Sequence, residues 1–121
     1  MSDLAEFLKA RLDEDEAVAR AAGGLAWSTL EHPIWEGRIE DSRGEVIVYD
    51  EGAPTAVQAA HIARHDPARV LADVAAKRKI VALARREEYL SGGLSGIHAA
   101  LLLALAQPYA DHADFDEEWR A

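Results

Sequence analysis

The chain contains no cysteine. Disulfides and thiolate zinc sites are therefore excluded, and the absence fits a reducing cytosol. Long apolar runs are missing too: the longest, residues 99–106, falls far short of a membrane span. The opening Met1-Ser2-Asp3-Leu4-Ala5-Glu6 has neither the basic nor the apolar region of a secretory signal, so a cytoplasmic protein is expected. Positive charge is in the minority, with 13 Lys and Arg against 22 Asp and Glu, a formal charge of -9. Such a field repels phosphate backbones and anionic lipid, which argues against nucleic-acid and membrane binding. No internal repeat or low-complexity segment is present. No serine sits in a nucleophile elbow, and no Ser/His/Asp order stands out. The run Ser91-Gly92-Gly93-Leu94-Ser95-Gly96 lacks the lysine and following Ser/Thr of a phosphate-binding loop and reads as a turn.

What is present describes a folded protein. Half the residues are hydrophobic and 29% are charged, and 121 residues suit one domain over 1–121. Asp3 and Glu6 form a capping-box-like start for a helix over 2–22, with Leu4, Phe7, Leu8 and Leu12 on one stripe and Gly23-Gly24 as its stop. Residues 25–30, 35–39 and 45–49 read as short strands, with Trp27 and Trp35 on the core face. The last two strands flank Glu40-Asp41-Ser42-Arg43-Gly44 as a hairpin with a five-residue loop. Val46, Ile47, Val48 and Tyr49 are continuously β-branched or aromatic, so both faces are expected to be covered. Thr55 and Gln58 open a helix to about residue 65, and Asp66 caps a new one from Pro67 to about residue 88. Val70, Val74, Val81 and Ala84 share a face of that helix. Residues 94–107 form a helix apolar on most sides, with Leu94, Ile97, Leu101 and Leu105 as one face, which places it in the centre of the core. His98 reads as a lone core histidine. Asp114 and Glu117 signal a short tail helix on which Phe115 and Trp119 pair. The expected fold is α+β and mainly helical: a small three-stranded antiparallel sheet over about residues 25–50, packed with four helices and a short C-terminal helix.

Three features bear on function. His61 and His65 stand at i, i+4 on one helical face, a spacing that can hold one divalent metal. A metal needs a third ligand, for which Asp111 and His112 are the best donors, and two His plus a carboxylate suit zinc, iron or manganese. The plainer account makes His65 a cation at a helix C-terminus and Asp66 a cap. The tail interleaves Asp111, Asp114, Asp116, Glu117 and Glu118 with Phe115 and Trp119, a composition that suits a basic, hydrophobic partner groove or a short helix folded on the chain's own core. The joint before the basic helix has the outline of a helix-turn-helix, with Arg69, Lys77, Arg78 and Lys79 toward phosphates. The tight Asp66-Pro67 corner and the overall charge favour a solvated basic face, or acidic ends folding near a basic middle.

The stretches Arg11-Leu12-Asp13-Glu14-Asp15-Glu16, Ala60-His61-Ile62-Ala63-Arg64-His65-Asp66-Pro67-Ala68-Arg69-Val70-Leu71, Lys77-Arg78-Lys79-Ile80 and Pro108-Tyr109-Ala110-Asp111-His112, with Glu117-Glu118-Trp119-Arg120, resemble a family of small acidic proteins of actinobacteria and their phages. That family is a domain of unknown function. The resemblance covers most of the chain in order, with residues 84–106 matching least. It implies a bacterial or phage cytosolic setting and transfers no catalytic residue.

The leading expectation is a non-enzymatic interaction or regulatory protein that binds a protein partner through its acidic surface and C-terminal tail. The alternatives are a small metal-dependent enzyme using His61, His65, Asp111 and His112, and a small DNA-associated regulator. Homo-oligomerisation through residues 94–106 is a further expectation.

Overall fold

The structure, a computed structural model, describes residues 2–30, 36–94 and 96–121. It is mainly helical α+β. The elements run α1 (Ser2–Ala21), β1 (Trp27–Thr29), β2 (Ile39–Asp41), β3 (Val46–Val48), α2 (Ala56–Arg64), α3 (Pro67–Ser91) and α4 (Gly96–Ala106). Two 3-10 turns follow, Gln107–Tyr109 and Glu117–Trp119. The chain divides into two compact units, one made of Met1–Asp15 with Val74–Ala121 and the other of Glu16–Asp73.

In the first unit the stripe Leu4, Phe7, Leu8 and Leu12 of α1 is buried throughout. Val74, Val81 and Ala84 of α3, Leu102 and Ala106 of α4, and Phe115 of the tail are buried as well. Asp3 lies inside the first turn of α1 rather than before it, where its charge complements the helix dipole instead of capping. Acidic α1 meets basic α3 through Glu6–Arg85 at 3.2 Å and Asp13–Arg78 at 2.8 Å. Hydrogen bonds from Lys9 and then Arg78 hold the Asp13 carboxyl below the usual carboxylate range. α4 departs from expectation. It is not central: Leu102 and Ala106 are buried, whereas Ile97 is 70% and Leu101 43% exposed. A helix apolar on every side has no periodicity to say which side faces inward. His98 is half-buried.

In the second unit α1 ends in a Schellman motif. The Gly24 N–H donates to the Ala19 carbonyl at 3.0 Å and the Gly23 N–H to that of Arg20 at 2.9 Å, with both glycines at positive φ. The antiparallel sheet has the order β1-β2-β3, with Ser28 opposite Glu40 and Ile39 opposite Val48. β2 begins only at Ile39, because residues 36–37 form a turn in which the Gly37 N–H donates to Asp50 at 3.1 Å. Trp35, expected on the core face, lies outside the described residues. β2 ends at Asp41 and β3 starts at Val46, so the connection covers residues 42–45 rather than the expected 40–44, and Asp41 Oδ1 accepts the backbone N–H groups of Arg43 and Glu45 within it. β3 is covered on one face only: Val46 and Val48 are half-buried, while Ile47 and Tyr49 are exposed. α2 packs on β1 and seats Ala59 and Ala63 against Ile39, with Trp27, Val48 and Ile62 around them. Thr55 and Gln58 form the complete capping box at its start.

Candidate functional site

The C-terminal tail folds onto α1, and one side chain organises the contact. Phe7 sits 5.1 Å from Trp119, 5.7 Å from His112, 5.9 Å from Phe115 and 6.3 Å from Tyr109, ring centre to ring centre. Three of the four contacts are edge-on, the geometry aromatic quadrupoles favour. Phe115 and Trp119 meet edge-on at 5.5 Å, as their i, i+4 spacing implied. The helical turn that carries Trp119 starts later than expected, with Asp116 rather than Asp114 as its cap. The reason is local. The Asp114 N–H is drawn back to His112 Nδ1 at 3.0 Å, whereas the Asp116 carboxylate accepts the Glu118 N–H at 2.9 Å.

Polar contacts fix the arrangement. Gln107 Nε2 donates to the carbonyls of Leu103 and Trp119, and its Oε1 accepts the Ala121 N–H. The Tyr109 hydroxyl donates to Asp15 at 2.6 Å. Burial, reinforced by that bond to a carboxylate, pushes the phenol pKa above its ordinary value. Arg11 packs over the Phe7 ring at 5.5 Å, reaches Glu14 at 3.3 Å and lies against His112 Nε2. Arg120 forks onto Glu117, and the hydrogen bond lowers the Glu117 pKa while raising that of Arg120.

Between α1 and the tail lies an open groove of about 410 Å³. Phe7 and Trp119 supply its aromatic wall, and Asp3, Glu6, Asp114 and Asp116 bring four carboxylates to its edges. Ala10 and Arg11 complete the lining. The carboxylate residues are exposed and Trp119 is half-buried. In chemical terms, carboxylates at the edge of an aromatic wall can draw a cationic head and hold its apolar stem by cation–π and apolar contact. Of the tail residues singled out in the sequence, Asp114, Asp116 and Trp119 line this groove, whereas Asp111, Glu117 and Glu118 do not. Sequence reasoning did not bring Asp3, Glu6, Phe7 and Arg11 to the same place, because nothing in α1 alone announces that the tail returns to it.

The residues proposed as metal ligands are distributed differently. His61 and His65 belong to the second unit and Asp111 and His112 to the first. The His61 and His65 rings lie 4.3 Å apart with their planes tilted by 39°, and His65 Nδ1 donates to the His61 carbonyl at 2.8 Å. His112 Nδ1 accepts the Asp114 N–H, and Arg11 lies against its Nε2. Among the described residues no group of three or more His, Cys, Asp or Glu side chains is gathered so that it could hold a metal ion. Of the basic residues on α3, Arg78 pairs with Asp13 and Arg69 with Asp73. No helix among the described residues is long and apolar enough to cross a membrane.

No curated protein and no solved structure matches the chain. A family model matches it over residues 1–121, and on that match the chain belongs to the family of unknown function DUF6221.

Proposed function

We propose that this protein is a non-catalytic binding protein that takes a basic segment of a protein partner into the groove between α1 and the C-terminal tail. The observation that carries the reading is the pairing of four carboxylates, Asp3, Glu6, Asp114 and Asp116, with the aromatic wall of Phe7 and Trp119. An Arg or Lys head would lie among the acids with its stem along the rings. The net charge of -9 favours such a partner over nucleic acid or a membrane surface and would speed its approach at low salt. The reading sets the protein in the cytoplasm and needs no cofactor and no catalytic residue. Glu117 and Glu118 would add to the field around the groove rather than touch the ligand.

The test is fluorescence anisotropy with a labelled Arg/Leu peptide. Binding should weaken as salt rises. It should fall at least tenfold in the D114N/D116N double variant and in W119A. The E45Q/E51Q variant removes the same charge from exposed positions that do not line the groove and should bind like the parent. Absence of binding, or an equal loss in both double variants, would overturn the assignment.

A further inference from the structure

We infer, resting on the binding role proposed above, that the segment taken into the acidic groove is a chain end: a C-terminal Arg or Lys whose α-carboxylate is held by Arg11. Arg11 is the basic residue in a lining otherwise made of acids, rings and an alanine. Its ion pair among the described residues is with Glu14, outside that lining, at 3.3 Å. The Arg11 side chain is only 11% exposed, whereas that of Glu14 is 63% exposed. A guanidinium carries five N–H donors and is seldom buried without partners for them. Here the Phe7 ring covers it at 5.5 Å, but a ring face gives the in-plane N–H groups no acceptor.

The shortfall falls on a particular atom. Arg11 Nε is buried and has no acceptor among the described residues. His112 does not supply one. Its Nδ1 accepts the Asp114 N–H, so a neutral ring carries its proton on Nε2, the nitrogen that lies against Arg11. A nearly buried cation with an unsatisfied donor, at the wall of an open groove, is thus left for a ligand to complete. A carboxylate is the group that fits, because it meets the guanidinium fork with two parallel bonds and brings the opposite charge.

The spacing of charges along α1 identifies which carboxylate. At about 1.5 Å of rise per residue, Asp3 and Glu6 stand roughly 12 and 7.5 Å before Arg11 along the helix axis. This wall is anionic toward the start of α1 and cationic at Arg11. A ligand that satisfies both carries an anion and a cation about one long side chain apart. A C-terminal Arg or Lys has that pattern within a single residue. Its α-carboxylate meets Arg11 and its head extends to the acids. Arg11 already covers Phe7, so Trp119 is the ring left for the stem. An acidic side chain next to a basic one in an extended segment points to the opposite face, so the chain terminus is the carboxylate that enters together with the basic side chain.

Fluorescence anisotropy with two peptides provides the test. Both are labelled at the N-terminus and end in arginine, one as the free acid and one as the amide. The acid should bind about tenfold more tightly, the effect of one charge-assisted pair, although it brings an extra negative charge to a chain of -9. In Arg11→Met, which keeps an apolar stem over Phe7 and removes the fork, the two peptides should bind alike. The amide is the control for packing: a loosened tail weakens both peptides, and their ratio still reports Arg11. Equal binding of acid and amide to the parent would overturn the inference and leave the binding role standing. Failure of both peptides to bind would remove that role and the inference with it. A preference for the acid undiminished in Arg11→Met would place the carboxylate elsewhere and overturn the assignment to Arg11.

Discussion

The Asp66 carboxylate ties Trp27 to the start of α3: one oxygen accepts the Trp27 backbone N–H at 3.0 Å, and the other accepts that of Arg69 at 2.8 Å. The first bond fixes the end of β1 and the second caps the helix. A neighbouring backbone bond, from the Ala68 N–H to the Leu25 carbonyl, runs in parallel. Asp66→Ala removes the cap, worth about 1 kcal/mol, and leaves a part-buried N–H without its acceptor, worth about 1 kcal/mol more. Asp66→Asn keeps one acceptor and should lose about half as much. Urea denaturation would read the cost as a lower midpoint at unchanged slope. A fall of less than about 0.5 kcal/mol in the alanine variant would mean that the link bears no weight.

The Tyr109–Asp15 bond makes stability depend on alkaline pH. The folded phenol has its pKa raised, first by burial and then by the neighbouring carboxylate. The contribution is therefore complete below the ordinary tyrosine pKa of about 10 and declines as pH rises beyond it, since the unfolded chain ionises first. Tyr109→Phe should cost about 1 kcal/mol at neutral pH and flatten the alkaline decline. Parallel pH–stability profiles for parent and variant above pH 10 would contradict the assignment.

Much of this fold is legible residue by residue. The stripe Leu4, Phe7, Leu8 and Leu12, the Thr55–Gln58 box, the Asp66 cap and the Gly23-Gly24 stop are local codes, each written within a few residues and each present in the structure. What escaped depends on partners distant in sequence. α4 reads as central because every side is apolar, and only its neighbours decide that Leu102 and not Leu101 turns inward. The tail turn moved from Asp114 to Asp116 because His112 claims the Asp114 N–H. The groove was half visible for the same reason. Asp114, Asp116 and Trp119 are contiguous, but Asp3, Glu6 and Phe7 lie at the other end of the chain.

Gly37 is held by shape rather than by conformation. A Cβ there would run into the Pro54 carbonyl oxygen, and backbone gives way less readily than a side chain. Gly37→Ala should therefore cost about 3 kcal/mol, at the upper end for added bulk in a packed site. Gly44→Ala meets no atom within 4 Å but forces a non-glycine residue to a φ of +84°, for a cost of about 1 kcal/mol. Thermal melts of both variants would rank them. The reverse order would mean that the chain near Pro54 moves aside freely.

Phe7 joins stability to the proposed binding. It is buried and touches four aromatic rings of the tail, so Phe7→Ala should lose roughly 3–5 kcal/mol. Phe7→Leu keeps most of the volume and should lose about 1.5 kcal/mol while giving up the ring–ring geometry. The informative variant is the leucine one, because it stays folded. If Phe7 positions the tail, amide exchange in Phe7→Leu should quicken for residues 112–119 and leave the sheet of the second unit unchanged. The labelled Arg/Leu peptide should then bind more weakly, although every carboxylate is still present. Faster exchange with undiminished binding would separate the tail's packing from the groove's function and leave the acids as the sole determinant.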